Sequence, residues 1–525
     1  MTFLKQIGRR RFLNVLGGTA LMGAVSGRAQ SAQPAATASG VFTPDLELEL
    51  RAVQDQVQLF AGAPTHVWRY RGKVLKGDAR AVTHHPASPL GPVIRVHRGT
   101  RVRIHFINEL PQPSVVHWHG LLVPEEADGH PRYAVGPSGR YVYEFEVINR
   151  AGTYWFHPHP HGMTGSQVYA GLTGLFIVTD DEERALGLPD GDRDVSLVIQ
   201  DRSFTRDNQL RYIGNGSGMM GMMANVSGFL GDRIHVNGRP DFTFAAERKP
   251  YRLRVVNGSN SRIYKLAWSD GTPMTVIGSD GGLLAALVTR PYITVAPSER
   301  VELWADFSSR AAGEELNLVS LPFAASSGGG GMMGGGMMGG GSGPAQGSAF
   351  QVLKVRVGQG AAVSEKLPER LTSIPPLRPE EARNLNNPRQ IRVTTNGMRW
   401  SLNGRLFEME GVAKEEIVRF GSTEVWEFVN ETGMGMMGSM PHPLHVHGVQ
   451  FRVIDRRIHP SAVAAWRSVS EGYVDEGWKD TALVMPGERV RVLMRFESFP
   501  GLFLYHCHNL EHEDMGMMRN FRINT

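Results

Sequence analysis

The sequence predicts an all-β fold built from three β-sandwich domains, on three observations. Short segments of alternating apolar and polar residues, bounded by Gly, Pro and Asn, recur along the chain. Its first and last thirds repeat one another. And 525 residues exceed what one hydrophobic core supports, so several domains are expected.

The alternating segments include 92–110 (PVIRVHRGTRVRIHFINEL), 140–148, 251–259, 300–307, 424–432 and 489–496. Period-two patterning turns every second side chain to one face, and turn signals between such runs are those of antiparallel sandwiches. Helical periodicity is scarce, a short helix over 461–471 being the one candidate.

The first residues read differently. Arg9, Arg10 and Arg11 precede Phe12-Leu13, an apolar stretch to about Val25, and then small residues. This is the pattern of a twin-arginine export signal over 1–36, which predicts a periplasmic protein exported in its folded form. The apolar run falls short of the ~20 residues a membrane-crossing helix needs. No other segment comes closer, so no membrane span is expected.

The segment also accounts for the net charge. Five of the 56 Lys and Arg residues lie before residue 37, where there is no acid, leaving 51 bases against 51 acids. A neutral mature chain lacks the basic footprint of nucleic-acid binding, so no nucleic-acid partner is expected. Cys507 is the only cysteine, which rules out an internal disulfide in an exported chain and makes it a buried spectator or a ligand.

The repeat decides between those two. HWHG at 117–120 aligns with HVHG at 445–448, and GTYWFHPH at 152–159 with GLFLYHCH at 501–508. The domains are accordingly expected near 40–182, 183–358 and 375–525, the middle one without any His-x-His and carrying a Met/Gly-rich loop at 326–348. The first copy has Pro158 and Ser114 where the last has Cys507 and His442.

On a strand, residues i and i+2 share a face roughly 6–7 Å apart. His117/His119, His157/His159, His445/His447 and His506/His508 therefore each present two imidazoles to one target, eight in all, enough for three metal ions. One such pair is usually just a solvated face, but four pairs matched across a repeat are a metal signature. Cys507, between His506 and His508, must point to the opposite face, toward a separate metal. His442, His512 and a weak axial thioether from Met517 complete a His2Cys set, the blue-copper electron-transfer pattern. Zinc also accepts Cys and His, but the Cys-x4-His-x4-Met run suits copper better. The His-Cys-His tripeptide then wires one redox site to the next.

These blocks resemble the multicopper oxidases, the family of laccases, ascorbate oxidase, ceruloplasmin and the bacterial copper efflux oxidases. The resemblance covers nearly the whole mature chain. It implies three cupredoxin-like Greek-key domains and four copper ions, one type 1, one type 2 and two type 3. By the same resemblance His117 and His445 hold the type 2 ion. His119, His157 and His508 hold one type 3 ion, and His159, His447 and His506 the other. The implied reaction is one-electron oxidation of a reducing substrate at the blue site, coupled to four-electron reduction of O2 to water. Catalytic roles then fall to Cys507 and to two proton-relay carboxylates, Asp128 and Glu513. His161, in HPHPHG, is expected in the surrounding loop, since all eight cluster positions are filled.

Fifteen of the 23 methionines fall in four Gly-rich clusters, at 218–223, 330–340, 433–440 and 515–518. Paired thioethers are soft ligands suited to Cu(I), and a plain linker needs no methionine. Met332, Met333, Met337, Met338 and Met440 are therefore candidate substrate Cu(I) ligands, Met440 also by its resemblance to a position in the copper efflux oxidases. The chain departs from that pattern at Gly438, where those enzymes carry an aspartate. The reductant stays open between Cu(I), another metal ion such as Fe(II) or Mn(II), and phenols or aromatic amines. A laccase is thus the alternative to a cuprous oxidase. A non-enzymatic copper-binding protein is the third reading, although none of the twelve ligand positions is missing. A monomer is expected.

Overall fold

A computed structural model describes residues 42–84, 88–212, 221, 225–325, 343–432 and 439–525. Three β-sandwiches make up these residues, all within one compact unit, Gly40–Thr525. All six alternating segments named above form strands, for instance Val93–His97, Arg101–Asn108 and Glu488–Arg495.

The first sandwich packs a four-stranded sheet (Thr65–Lys76, Leu46–Val57, Arg101–Asn108, Arg140–Glu146) on a five-stranded one. The latter runs Val82–Thr83, Val93–His97, Gly174–Thr179, Gly152–Pro158, Val116–His119. Leu48, Ile104, Trp118, Phe156 and Phe176 fill the space between. The second sandwich pairs a seven-stranded sheet between Asp194 and Asp306 with a five-stranded sheet between Thr243 and Val357. The third has two five-stranded sheets from Arg389 to Asn524.

The sequence repeat is also a repeat of register. Val116–His119 pairs antiparallel with Gly152–Pro158, setting His117 opposite His157 and Val116 opposite Pro158. His442–Val446 pairs with Gly501–Cys507 in the same way, setting His445 opposite His506 and Leu444 opposite Cys507. A short helix follows each second strand, Thr164–Ala170 and Leu510–Asp514, the latter capped by the Asn509 side chain. The segment 461–471 holds one helical stretch, Val463–Arg467, between two single 3-10 turns.

Polar faces of central strands are buried by pairing between elements. All eight residues of Pro250–Asn257 are buried, because Arg252 and Arg254 meet Glu183, Glu302 and Asp194. Arg300, on the neighbouring strand, donates from Nε to the Thr153 carbonyl of the first sandwich at 3.1 Å and from Nη1 to Asp480 of the third at 2.8 Å. Among the described residues no helix is long and apolar enough to cross a membrane.

Candidate metal centres

The four His-x-His strands converge between the first and third sandwiches, and all eight histidines are at most 1% exposed. Within a pair the rings lie close together, with centroids 5.4 Å apart for His117/His119, both on one strand, and 4.9 Å for His445/His447, where His447 lies one residue past its strand. Between domains, His117 stacks on His447 and His119 on His445, each at 3.8 Å. Ligand atoms of His159, His447 and His506 lie within 4.8 Å of one another. The rings of His119, His157 and His508 are mutually 5.0–5.6 Å apart, and those of His117 and His445 5.7 Å.

Outer hydrogen bonds fix which nitrogen several of the rings turn inward. A carbonyl only accepts, so the nitrogen facing it carries the proton and the other keeps its lone pair. His117 Nδ1 donates to the Asp128 carbonyl at 2.6 Å, His157 Nδ1 to Pro158 at 2.9 Å and His445 Nδ1 to Asp480 at 2.8 Å. His119 is reversed: its Nε2 donates to Asp480 Oδ1 at 3.0 Å and its Nδ1 faces His157 Nε2 at 3.4 Å. The inward Nε2 atoms of His117 and His445, and both nitrogens of His508, are buried without a hydrogen-bond partner among the described residues. Unpartnered buried nitrogens are costly unless something fills the space between them, and a borderline-soft cation is what imidazoles bind. Burial holds His157 at about 4 and His159 at about 3 in the metal-free protein, so their lone pairs are available at neutral pH.

A second site lies behind the strand. Cys507 Sγ is 3.5 Å from His442 Nδ1 and 3.6 Å from His512 Nδ1, with all three residues fully buried. Met517 is buried in the same core cluster and returns its carbonyl to the Cys507 N–H at 3.1 Å. Burial pushes the Cys507 thiol up, so only a bound cation brings it to thiolate there. A thiolate with two imidazoles fits copper.

Two family models described as multicopper oxidase match residues 68–183 and 381–525. A laccase from Bacillus stratosphericus is 31% identical over 87% of this chain and 90% of its own length. The chain belongs to the multicopper oxidase family. The oxidase is also similar to a bilirubin oxidase from Albifimbria verrucaria, 31% identical over 85% of this chain and 73% of the relative. The crystal structure of the McoA multicopper oxidase from Aquifex aeolicus superposes with a TM-score of 0.74 at 31% identity, covering 92% of this chain and 97% of that one. This oxidase is therefore a copper protein that couples oxidation of a reducing substrate to reduction of O2.

Both carboxylates singled out in the sequence reach the histidine cavity of the oxidase. Asp128 accepts His447 Nδ1 at 2.7 Å, and its other oxygen, 3.7 Å from His117 Nδ1, is buried with no hydrogen-bond partner among the described residues. Burial, with Glu125 nearby, raises its carboxyl well above the usual carboxylate range. Glu513 lies 3.2 Å from His506 Nδ1 and 3.5 Å from His159 Nε2. Burial pushes Glu513 up, but His159 and His506 more than reverse this and hold it well below its ordinary value.

His161 stands apart from the cavity, exposed, with its ring against Phe407 at 4.9 Å. Met440 and Met515 are half-buried against the core that holds Cys507 and Met517. Met332, Met333, Met337 and Met338 lie outside the described residues, as does Gly438.

Three residues at these sites carry no local sequence signal. Asp480 and Arg300 form a buried ion pair touching His119. Trp400 lies over the thiolate site, its ring 4.6 Å from His442 and 5.6 Å from His512. WKDT and SERVE read as ordinary strand edges, and only a search for charged residues inside otherwise apolar strands offers a hint.

Proposed function

We propose that this multicopper oxidase holds four copper ions and that its reductant is Cu(I). One ion belongs to His442, Cys507, His512 and Met517. In the cavity, His117 and His445 would hold the type 2 ion, and His119/His157/His508 and His159/His447/His506 the type 3 pair. Bound there, copper supplies one-electron acceptance at the thiolate and four-electron delivery to O2 in the cavity. Cys507 is joined by single peptide units to His506 and His508, so the chain itself provides a covalent route between the two sites. Asp128 reaches His447, and Glu513 reaches His506 and His159; their task is to hand protons to reduced oxygen. Burial of all eight histidines keeps bulk water from the reacting atoms.

The observation that carries the Cu(I) reading is the attachment of Met-rich segments to the thiolate site. Met440, two residues before His442, is anchored by Asn430 Nδ2 donating to its carbonyl at 2.8 Å. Val226, three residues after Met223, accepts both His512 Nε2 at 3.0 Å and Trp400 Nε1 at 2.8 Å. Met-rich runs of the sequence thus lie a few residues from segments that contact this site, and thioethers suit a soft monovalent metal ion as donor. A second reading, oxidation of phenols or aromatic amines, draws on the laccases among the relatives.

Oxygen uptake by the copper-loaded enzyme with Cu(I), beside the same assay with a phenol, separates the two. Fast Cu(I)-dependent uptake that falls on deletion of 328–340 supports the cuprous oxidase. Phenol turnover with negligible Cu(I) activity makes the enzyme a laccase. Copper analysis tests the count of four per chain, and sedimentation tests the monomer. Periplasmic export is read from Arg9 and Arg10. Retention of the double Lys variant in the cytoplasm is the expected result.

A further inference from the structure

Two aspartates grip the histidine cavity alike, one from each of the two domains that line it. Asp128, of the first sandwich, accepts its own domain's His117 on the backbone carbonyl at 2.6 Å and the third domain's His447 on its carboxylate at 2.7 Å. Asp480, of the third sandwich, accepts its own domain's His445 on the backbone carbonyl at 2.8 Å and the first domain's His119 on its carboxylate at 3.0 Å. The rings each aspartate links are the ones stacked across the interface at 3.8 Å. The correspondence is absent from the sequence repeat, since Asp128 lies nine residues after His119 whereas Asp480 lies 33 after His447. It exists only in the assembled interface.

The two differ in one respect. Asp128 Oδ1 has no hydrogen-bond partner among the described residues. Asp480 is held by both terminal nitrogens of Arg300, which comes from the middle sandwich. Arg300 is itself fixed on every side: Nε to Thr153 O at 3.1 Å, Nη1 to Ser298 O at 2.9 Å and Nη2 to Asp280 O at 2.9 Å. Gly120, the last residue of HWHG, makes room for the pair, because a Cβ there would lie 2.5 Å from Asp480 Oδ2 and 2.7 Å from Arg300 Nη2. A bidentate guanidinium leaves this carboxylate little freedom to rotate or to serve as a metal ligand itself.

We propose that Asp480 and Arg300 are a positioning pair for the oxygen-reducing cluster, through which the middle domain, without a His-x-His ligand pair of its own, sets the orientation of His119. Asp480 takes the Nε2–H of His119, so Nδ1 is the atom left to face copper, the reverse of His117, His157 and His445. Without the carboxylate the ring is free to turn Nε2 inward, which moves the donor atom away from the place the other ligands define. Outer hydrogen bonds of this type fix ring orientation and ligand basicity at metal sites. The inference rests on the copper assignment of the cavity given above.

The test is copper titration of the metal-free full chain, followed by the blue band for the thiolate site and the near-ultraviolet band for the coupled pair. Asp480→Asn and Arg300→Lys are compared with wild type, the second variant retaining a buried cation in case the first does not fold. The expected result is an unchanged blue band with cavity copper affinity weakened about 10–100-fold, and a lowered near-ultraviolet to blue ratio. A ratio and cavity affinity equal to wild type in either folded variant overturns the proposal. So does a loss of melting temperature with both copper signals intact, which marks the pair as purely structural. Wild-type protein that binds no copper in the cavity would instead overturn the cluster assignment itself.

Discussion

Replacing Cys507 by serine tests the electron route most directly. The side chain is fully buried, with Sγ 3.5–3.6 Å from the two imidazole Nδ1 atoms and 3.4 Å from the Asn509 N–H. A serine hydroxyl fits the same volume and takes over the Asn509 N–H. The fold should therefore lose only about 1 kcal/mol, the scale of one imperfectly exchanged buried polar contact. For a cooperative unit the size of the third sandwich that is a drop of about 2–4 °C in melting temperature. Function should change far more. A hydroxyl is a hard donor that stays protonated where a thiol, once copper is bound, becomes a soft thiolate. Losing an outer hydrogen bond to a ligand already costs about 10–100-fold at metal sites, so losing the thiolate should cost more than 100-fold in O2 uptake with any reductant. The blue band should vanish while the near-ultraviolet band of the cavity remains. Absorption spectroscopy, O2 uptake and a thermal melt on one preparation read all three quantities. Turnover within tenfold of wild type in the serine variant would show that electrons reach the cavity by another way.

Other outcomes follow from the same structure. Gly129 sits at φ +88° with the space of its missing Cβ 2.3 Å from Val116 O and 2.6 Å from His117 Cα; Gly129→Ala should displace Asp128 and cost about 1–3 kcal/mol, seen as a lower melting temperature together with loss of cavity copper. Asp194 is raised by burial but held at about 2 by Arg254, Arg252 and Arg95, so its stabilisation, about 2–3 kcal/mol, is present above pH ~4 and lost as pH falls toward ~2. Asp194→Asn should remove it at neutral pH, and acid-unfolding curves of the two proteins should converge below pH ~2. In the metal-free protein, burial depresses His157 to about 4 and His159 and His512 to about 3, whereas the unfolded chain protonates its histidines near 6.5. Stability of the metal-free protein should hold above pH ~6.5 and fall steadily as pH drops toward ~4, read by denaturant melts; a flat profile would contradict neutral buried rings.

Much of the site was legible because its chemistry is written in short range. A strand puts i and i+2 on one face, so HWH, HPH, HVH and HCH each specify two converging imidazoles without knowledge of the fold, and the residue between them is sent to the opposite side. That is why Cys507 could be assigned a separate partner set, and why Pro158 and Ser114 marked the first domain as lacking that site. The strands followed from the same period. Alternation did not reveal that the polar faces of Pro250–Asn257 and Thr423–Asn430 are buried, since that depends on which charged residues neighbouring strands supply.

What the sequence determined by itself was therefore the set of clustered histidines, the separation of Cys507 from them and the three-sandwich class, all properties of local periodicity and of a repeat within one chain. Only tertiary structure decided that His119 turns the opposite nitrogen inward from His117, His157 and His445. His119 and Asp480 are 361 residues apart, and Asp480 and Arg300 are 180 apart. A buried charge is tolerated only when its partner is buried beside it, and since the partners here come from distant segments, no local pattern encodes the pair and the packing of three domains creates it.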